Sequence, residues 1–208
     1  GRGGDSSSTR TTVDNIYRQL RHAGKSYKDY YNASGSGCGV GYSGSYHDAV
    51  RYYNGDGGLD ASTCDAHNVS LSTFMTDING GTLPEYSMIL PTNCDNMHSC
   101  STVSNVVVNG DNWAKNFLPQ FLNSAQYKSG DTALFFVWDE DTSIPNVLIA
   151  PSVKAGSTAP ATSHFGALRT MTEMLGLPYL GVTNSPVHVS EDLLSVFNGG
   201  GTTPTPTP

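Results

Sequence analysis

Segments with helical spacing alternate with short continuous apolar runs along most of this 208-residue sequence, and that rhythm restricts the chain to an α/β architecture. Thr12 to Ala23 sets Val13, Ile16, Tyr17 and Leu20 on one helix face, with Gly24 as the stop. Ser26 to Tyr31 reads as a strand. Ser70 is placed to cap a helix carrying Leu71, Phe74, Met75 and Ile78, closed by Gly80 and Gly81. Tyr86 to Leu90 is a short apolar run ending at Pro91. Asp111 to Leu122 is an aromatic amphipathic helix with a kink or restart at Pro119. Thr132 to Trp138 is continuously apolar, as buried parallel strands are, and Asn146 to Ala150 is a second such run. Ser163 to Leu175 is helical up to Gly176, and Ser190 to Phe197 is a last short helix with Glu191 and Asp192 in its first turn. Strands separated by helices imply a mostly parallel sheet flanked by helices. In such a sheet sites gather beyond the carboxyl ends of the strands, which points to the residues after Leu90, Trp138 and Ala150.

The length fits one domain, spanning residues 11–198. Residues 1–10 are Gly/Ser-rich and read as a flexible N-terminal segment; residues 199–208, GGGTTPTPTP, read as a Pro/Thr-rich linker or tail. The start at Gly1 is expected to reflect processing or a fragment, and a further module is expected after the tail. A net charge of -7 without clustered Lys and Arg argues against nucleic acid as a partner. No apolar run approaches the roughly 20 residues that span a bilayer. The four cysteines fall into two local pairs, Cys38 with Cys64 and Cys94 with Cys100, which read as two disulfides and so as secretion into an oxidising, extracellular compartment. A metal site is the weaker reading of them, because no CxxC spacing occurs. Asn32-Ala33-Ser34 and Asn68-Val69-Ser70 are glycosylation sequons, with Asn32 and Asn68 as acceptors.

Three segments at predicted strand ends carry chemistry. In TALFFVWDED the apolar run Leu134 to Trp138 feeds into Asp139, Glu140 and Asp141. Adjacent acids at a strand mouth repel one another, and a hard divalent cation would offset that repulsion and polarise a phosphoryl group. An acidic loop in water fits the same residues. In PTNCDNMHSC a small cysteine-closed loop presents Asp95, Asn96 and His98, and a rigidly held imidazole suits phosphate binding or proton transfer; a surface histidine on a stapled loop is the plain alternative. In ATSHFGALRT, His164 opens a helix and would face an anion drawn to that end, or serve in capping or packing. His47, in HDAVRYY, is ambiguous alone, and His22, His67 and His188 read as surface residues.

Together the stretches IYRQLRHAGKSYKDYY, HDAVRYY, GTLPEYSMILPTNCDNMHSC, GDNWAKNFLPQFLNSAQYKSGDTALFFVWDED, NVLIAPSVKAG and SHFGALRTMTEMLGLPYLG resemble the secreted phosphoesterase family, which includes acid phosphatases and phosphatidylcholine-type phospholipase C enzymes. The resemblance covers roughly Thr11 to Phe197 and implies an α/β fold similar to alkaline phosphatase. It implies that Asp139 and Glu140 match the Asp-Glu pair after the central strand, as ligands of a divalent metal ion. It implies catalytic roles for His98, His164 and His47 at the phosphate and leaving group. Cys94 and Cys100 match cysteines flanking the family's Met-His loop. This chain has Asp95 then Asn96 where the family has Asn then Asp, and Asp48 and Ala49 after His47 where the family has Asn-Pro.

The family's N-terminal segment, with a Glu-Asn metal pair and a Thr or Ser nucleophile, finds no match in this sequence, so the fold is expected to be incomplete at its N-terminus and that segment is an expected partner. The implied activity is metal-assisted hydrolysis of a phosphate-ester substrate through a phospho-enzyme. The rival expectation is a catalytically inactive extracellular binding or assembly module built on the same fold.

Overall fold

The structure, a computed structural model, describes residues 13–32, 47–51, 66–140, 144–159 and 161–197. Cys38, Cys64, Asp141, the N-terminal segment 1–10 and the tail 199–208 lie outside the described residues. The chain is organised as two compact units, Gly1–Ala125 and Gln126–Pro208.

In the first unit, helix α1 (Ile16–His22) begins four residues later than its apolar pattern, because Asn15 takes the cap position and its side chain accepts from the Arg18 N–H at 3.0 Å. Strand β1 (Tyr27–Tyr31) lies between β2 (Asn68–Ser70) and β3 (Tyr86–Leu90), and both pairings are parallel. Asp29 stands level with Asn68 on one side and with Met88 on the other. Alternation along β1 sends Asp29 to one face and Tyr30 to the other. Tyr17 of α1 covers the Asp29 face, donating its hydroxyl to Asp29 Oδ2 at 2.9 Å. On the opposite face the Tyr30 ring meets Phe74 of α2 (Ser72–Gly80) edge-on at 5.2 Å. Phe74 in turn meets Phe117 of α3 (Val106–Asn123), again at 5.2 Å. Tyr17, Leu20, Tyr30, Phe74 and Ile78 are fully buried and form the core on both sides of the sheet.

Two boundaries differ from the sequence pattern. Ser70 closes β2 instead of capping α2, whose cap position falls to Leu71 with no side-chain hydrogen bond. Helix α3 starts at Val106 and not Asp111, because the Asn105 carboxamide accepts from the N–H groups of Val107 and Val108 at 3.0 and 3.1 Å. That cap overrides the weak helix preference of three consecutive valines. The helix also runs through Pro119 to Asn123.

In the second unit, β4 (Leu134–Val137) and β5 (Asn146–Ile149) pair antiparallel, with Leu134 opposite Ile149 and Val137 opposite Asn146. This corrects the expectation of buried parallel strands. The connection, residues 138–145, is shorter than the dozen or so residues that a parallel crossover needs. The pair is also only half covered, with Val137 and Val147 48% and 47% exposed. Helix α4 (His164–Met174) is capped by Ser163, whose hydroxyl accepts from the Gly166 N–H. The expected helix over Ser190–Phe197 is replaced by α5 (Pro186–Val189) and a 3-10 turn at Leu194–Val196. The acids meant for its first turn point elsewhere: Glu191 to Ser163 and His188, Asp192 to Arg169.

Candidate active site

The loop that follows β3 is built to hold one imidazole. Asp95 and Asn96 turn back on Thr92, both N–H groups donating to its carbonyl at 2.8 Å, while the Thr92 hydroxyl donates to Asp95 Oδ2 at 2.7 Å. Asn109 of α3 reaches across to the Cys94 carbonyl and to Asp95 Oδ1 at 2.8 and 3.0 Å. Cys94 and Cys100 are joined by a disulfide with their Cα atoms 5.0 Å apart. Asn96 Oδ1 accepts from the His98 N–H at 2.9 Å, a local turn that sets the direction of His98. Met97 between them has φ +72°, left-handed backbone that costs a non-glycine residue about 1–2 kcal/mol. The exchanged order of Asp95 and Asn96 thus finds a use: both side chains brace the loop.

The same loop leans on Gly110 of α3, where a Cβ would stand 2.5 Å from Met97 Cγ and 2.9 Å from the Asp95 carbonyl oxygen. Ordinarily Gly→Ala inside a helix stabilises by about 1 kcal/mol. Here Gly110→Ala is expected to raise no melting temperature and to shift the His98 ring resonances in an NMR spectrum, because the Asp95–Met97 backbone must give way. Unmoved His98 signals would show that the loop is slack.

His47 meets His98 with ring centroids 5.3 Å apart, so the two histidines lie together beyond the carboxyl end of β3. His47 belongs to a short described segment, 47–51, tied to the sheet from below. The Asn68 carboxamide donates to Asp48 Oδ2, and the Val50 N–H donates to Asp29 Oδ2 at 3.1 Å. Asp29 and Asp48 are both wholly buried. Burial first, and the neighbouring Asp48 carboxyl second, push the Asp29 carboxyl up to about 8.

In the second unit, the Trp138 carbonyl and His164 Nε2 are 2.9 Å apart. A carbonyl only accepts, so Nε2 carries the hydrogen and the imidazole is fixed beside the end of β4. Asp139 and Glu140 are exposed.

The sequence profile of the phosphoesterase family matches residues 3–178. The chain belongs to the phosphoesterase family. Every candidate from His47 to His164 falls inside the matched residues. A curated relative, the phosphatidylinositol-3-phosphatase of Mycobacterium tuberculosis (strain ATCC 25618 / H37Rv), is 31% identical over 125 residues, which cover 57% of this chain and 40% of the relative. This phosphoesterase chain therefore spans about two fifths of the length of the curated relative it matches.

Within the phosphoesterase chain, the structure brings His47 to His98 in one unit and His164 to the mouth of β4 in the other. Among the described residues no three His, Cys, Asp or Glu side chains gather around one point. Asp139 and Glu140 alone do not fill the six or so oxygen positions of a hard divalent cation, so a cation held by them would need further ligands. Also among the described residues, no helix is long and apolar enough to cross a membrane.

Asn68 is 2% exposed and its carboxamide nitrogen donates to Asp48 Oδ2. Two sequence expectations are corrected. His67 is not a surface side chain: it stacks on Tyr27 at 3.9 Å and its Nδ1 lies 2.8 Å from the Tyr27 carbonyl. His188 is likewise held, 2.8 Å from Glu191 Oε2. Asp29 and Tyr17 were missed altogether as polar groups of the site; the one signal for them was an acid among the three tyrosines of the strand YKDYY.

Proposed function

We propose that this chain supplies the histidine side of a phosphate-ester hydrolase, and that its substrate is a phosphomonoester. The observation that carries the reading is the His47–His98 pair, 5.3 Å apart at the carboxyl edge of a parallel sheet in a member of the phosphoesterase family. Two imidazoles at that separation can serve one phosphoryl group. One donates to a non-bridging oxygen as charge builds there, and the other protonates the leaving oxygen. His98 Nδ1 is engaged by the Ser99 hydroxyl at 3.0 Å, which leaves Nε2 as the nitrogen to face substrate.

The name of the relative favours a phosphatase reading over a phospholipase C reading, and makes phosphatidylinositol 3-phosphate a substrate to try first. By family resemblance, the attacking hydroxyl and further metal ligands belong to an N-terminal segment. Asp139 and Glu140 would give two carboxylate oxygens to a divalent cation completed by that segment, and His164 would assist from the end of β4. The Cys94–Cys100 disulfide supports an exported, oxidising location.

The test is hydrolysis of a chromogenic phosphomonoester and of phosphatidylinositol 3-phosphate, by the 208-residue chain alone and with the family's N-terminal segment added in trans. Activity should fall about 10²–10⁴-fold in His98→Ala and in His47→Ala, with KM little changed. A chelator that leaves the rate intact would remove the metal from the scheme. Absence of hydrolysis in both arms would favour the inactive binding or assembly module.

A further inference from the structure

We propose that Asp29 and Asp48 form a buried, proton-sharing clamp that positions His47 against His98. The inference rests on reading those two histidines as the reacting imidazoles, and makes Asp29 and Asp48 positioning residues.

Segment 47–51 has little structure of its own, only the three-residue 3-10 turn Ala49–Arg51. Its placement comes from the sheet. Asp48 is held by Asn68 of β2, and the Val50 N–H by Asp29 of β1. Asn68 and Asp29 are level with each other in the strand register, so both ties leave from one row of the sheet. The shared proton would add a third tie between the two carboxyls. Asp29 Oδ2 already receives the Tyr17 hydroxyl and the Val50 N–H, whereas Asp29 Oδ1 is buried and receives no N–H or O–H from any described neighbour. Asp48 is wholly buried like Asp29, and its carboxyl is the neighbouring charge that, after burial itself, most raises the Asp29 carboxyl. Two carboxylates ionised side by side out of water repel strongly, while one shared proton turns the contact into a hydrogen bond.

The titratable groups that the fold sets against Asp29 include Asp48 from the clamped segment, Tyr17 from α1 and Tyr86 from β3. None of them brings a positive charge. The upward push on Asp29, to about 8, agrees with a proton retained through neutral pH, and the loss near pH 8 belongs to the pair as a unit. Above that pH two negative charges face each other beneath His47, and the clamp opens.

The experiment follows the His47 and His98 ring resonances by NMR in the 208-residue chain across the neutral and alkaline range. Wild type is expected to show, besides each imidazole's own titration, a second inflection at about 8 in the His47 signals. Asp29→Asn replaces the shared proton with a permanent amide donor of the same size, and the inflection should vanish. Asp48→Asn should abolish it as well. An inflection that persists in both variants, or is absent from wild type, overturns the clamp. The readout needs no turnover, so a chain without hydrolytic activity would sink the proposed function while the His47 inflection still decides for or against the clamp. Where hydrolysis is measurable, Asp29→Asn should move the alkaline limb of kcat upward by about a pH unit, and coincident limbs would show that the shared proton does not govern His47.

Discussion

Replacing Arg169 with Met is expected to destabilise the second unit by about 3–5 kcal/mol, close to what is lost when one partner of a buried ion pair is removed. Arg169 lies inside α4 and is 7% exposed. Its Nη2 is 2.9 Å from Glu173 Oε1 and donates to the Tyr179 hydroxyl at 2.8 Å; its Nε reaches Asp192 Oδ2 at 3.3 Å; its Nη1 donates to the Thr183 carbonyl at 3.0 Å. The guanidinium also lies 3.9 Å over the Tyr179 ring. One side chain thus fastens the helix to the irregular segment from Tyr179 to Asp192, which has little secondary structure to hold it. Glu173 is 4% exposed, and burial holds its carboxyl above the usual range even beside the cation. With Met in place, Glu173 and Asp192 would face each other with no positive charge between them. Urea denaturation followed by Trp138 fluorescence in a Trp113→Phe background measures the loss. Adding Glu173→Leu and Asp192→Asn to Arg169→Met should recover most of it, because the cost lies in the stranded acids. Arg169→Lys should fall in between, keeping the charge but losing the fork. A cost under about 1 kcal/mol for Arg169→Met, the range of exposed ion pairs, would mean that the network is spectator structure.

The parallel sheet was legible because β1 carries three tyrosines between Tyr27 and Tyr31 and β3, Tyr86 to Leu90, is mostly apolar. Strand β2 was not legible, because its key residue is Asn68, a polar side chain that is buried and bonded to Asp48. A local reading sees Asn-Val-Ser and finds a sequon. The run Thr132 to Trp138 misled in another way: a continuous apolar stretch reports burial potential, whereas partner and direction depend on the length of the following connection. At the site, His98 was legible because the cysteine-closed loop and the family resemblance point to the same residue. The contact between His47 and His98 was not, since 50 positions of sequence separate them. Asp29 stayed hidden because an acid within a strand ordinarily faces water. Only the register that sets it level with Asn68, and the return of segment 47–51 over that row, make it interior.

That interior acid has a thermodynamic signature: the first unit should lose stability as pH rises from about 4 to about 8. In the unfolded chain Asp29 ionises near its ordinary value of about 3.9. In the fold its carboxyl is pushed up to about 8. Between those values the native state keeps a proton that the unfolded state has released, so stability falls with rising pH, by at most ~1.4 kcal/mol per unit for one proton. The contribution is complete below about pH 4, gone by about pH 8 and flat beyond. Two other carboxyls in the same unit work with the opposite sign. Glu85 is held low by hydrogen bonds from Lys25 and Ser26, and Asp77 is held low by Lys28 and Tyr30, which outweigh its own desolvation. Their stabilisation is present above about pH 4 and disappears as pH falls through their depressed values. For these three carboxyls together, the opposing trends place the most favourable pH at mildly acidic values, roughly 4–5. Denaturant unfolding at pH 4.5, 6.0 and 7.5, read from Trp113, should show the descent in wild type. Asp29→Asn has no proton to lose and should flatten it, with the acidic fall-off from Glu85 and Asp77 left in place. Parallel slopes for the two proteins would mean that Asp29 ionises freely, and that water reaches a carboxyl which the fold shows closed in beneath Tyr17, Val50 and Asp48.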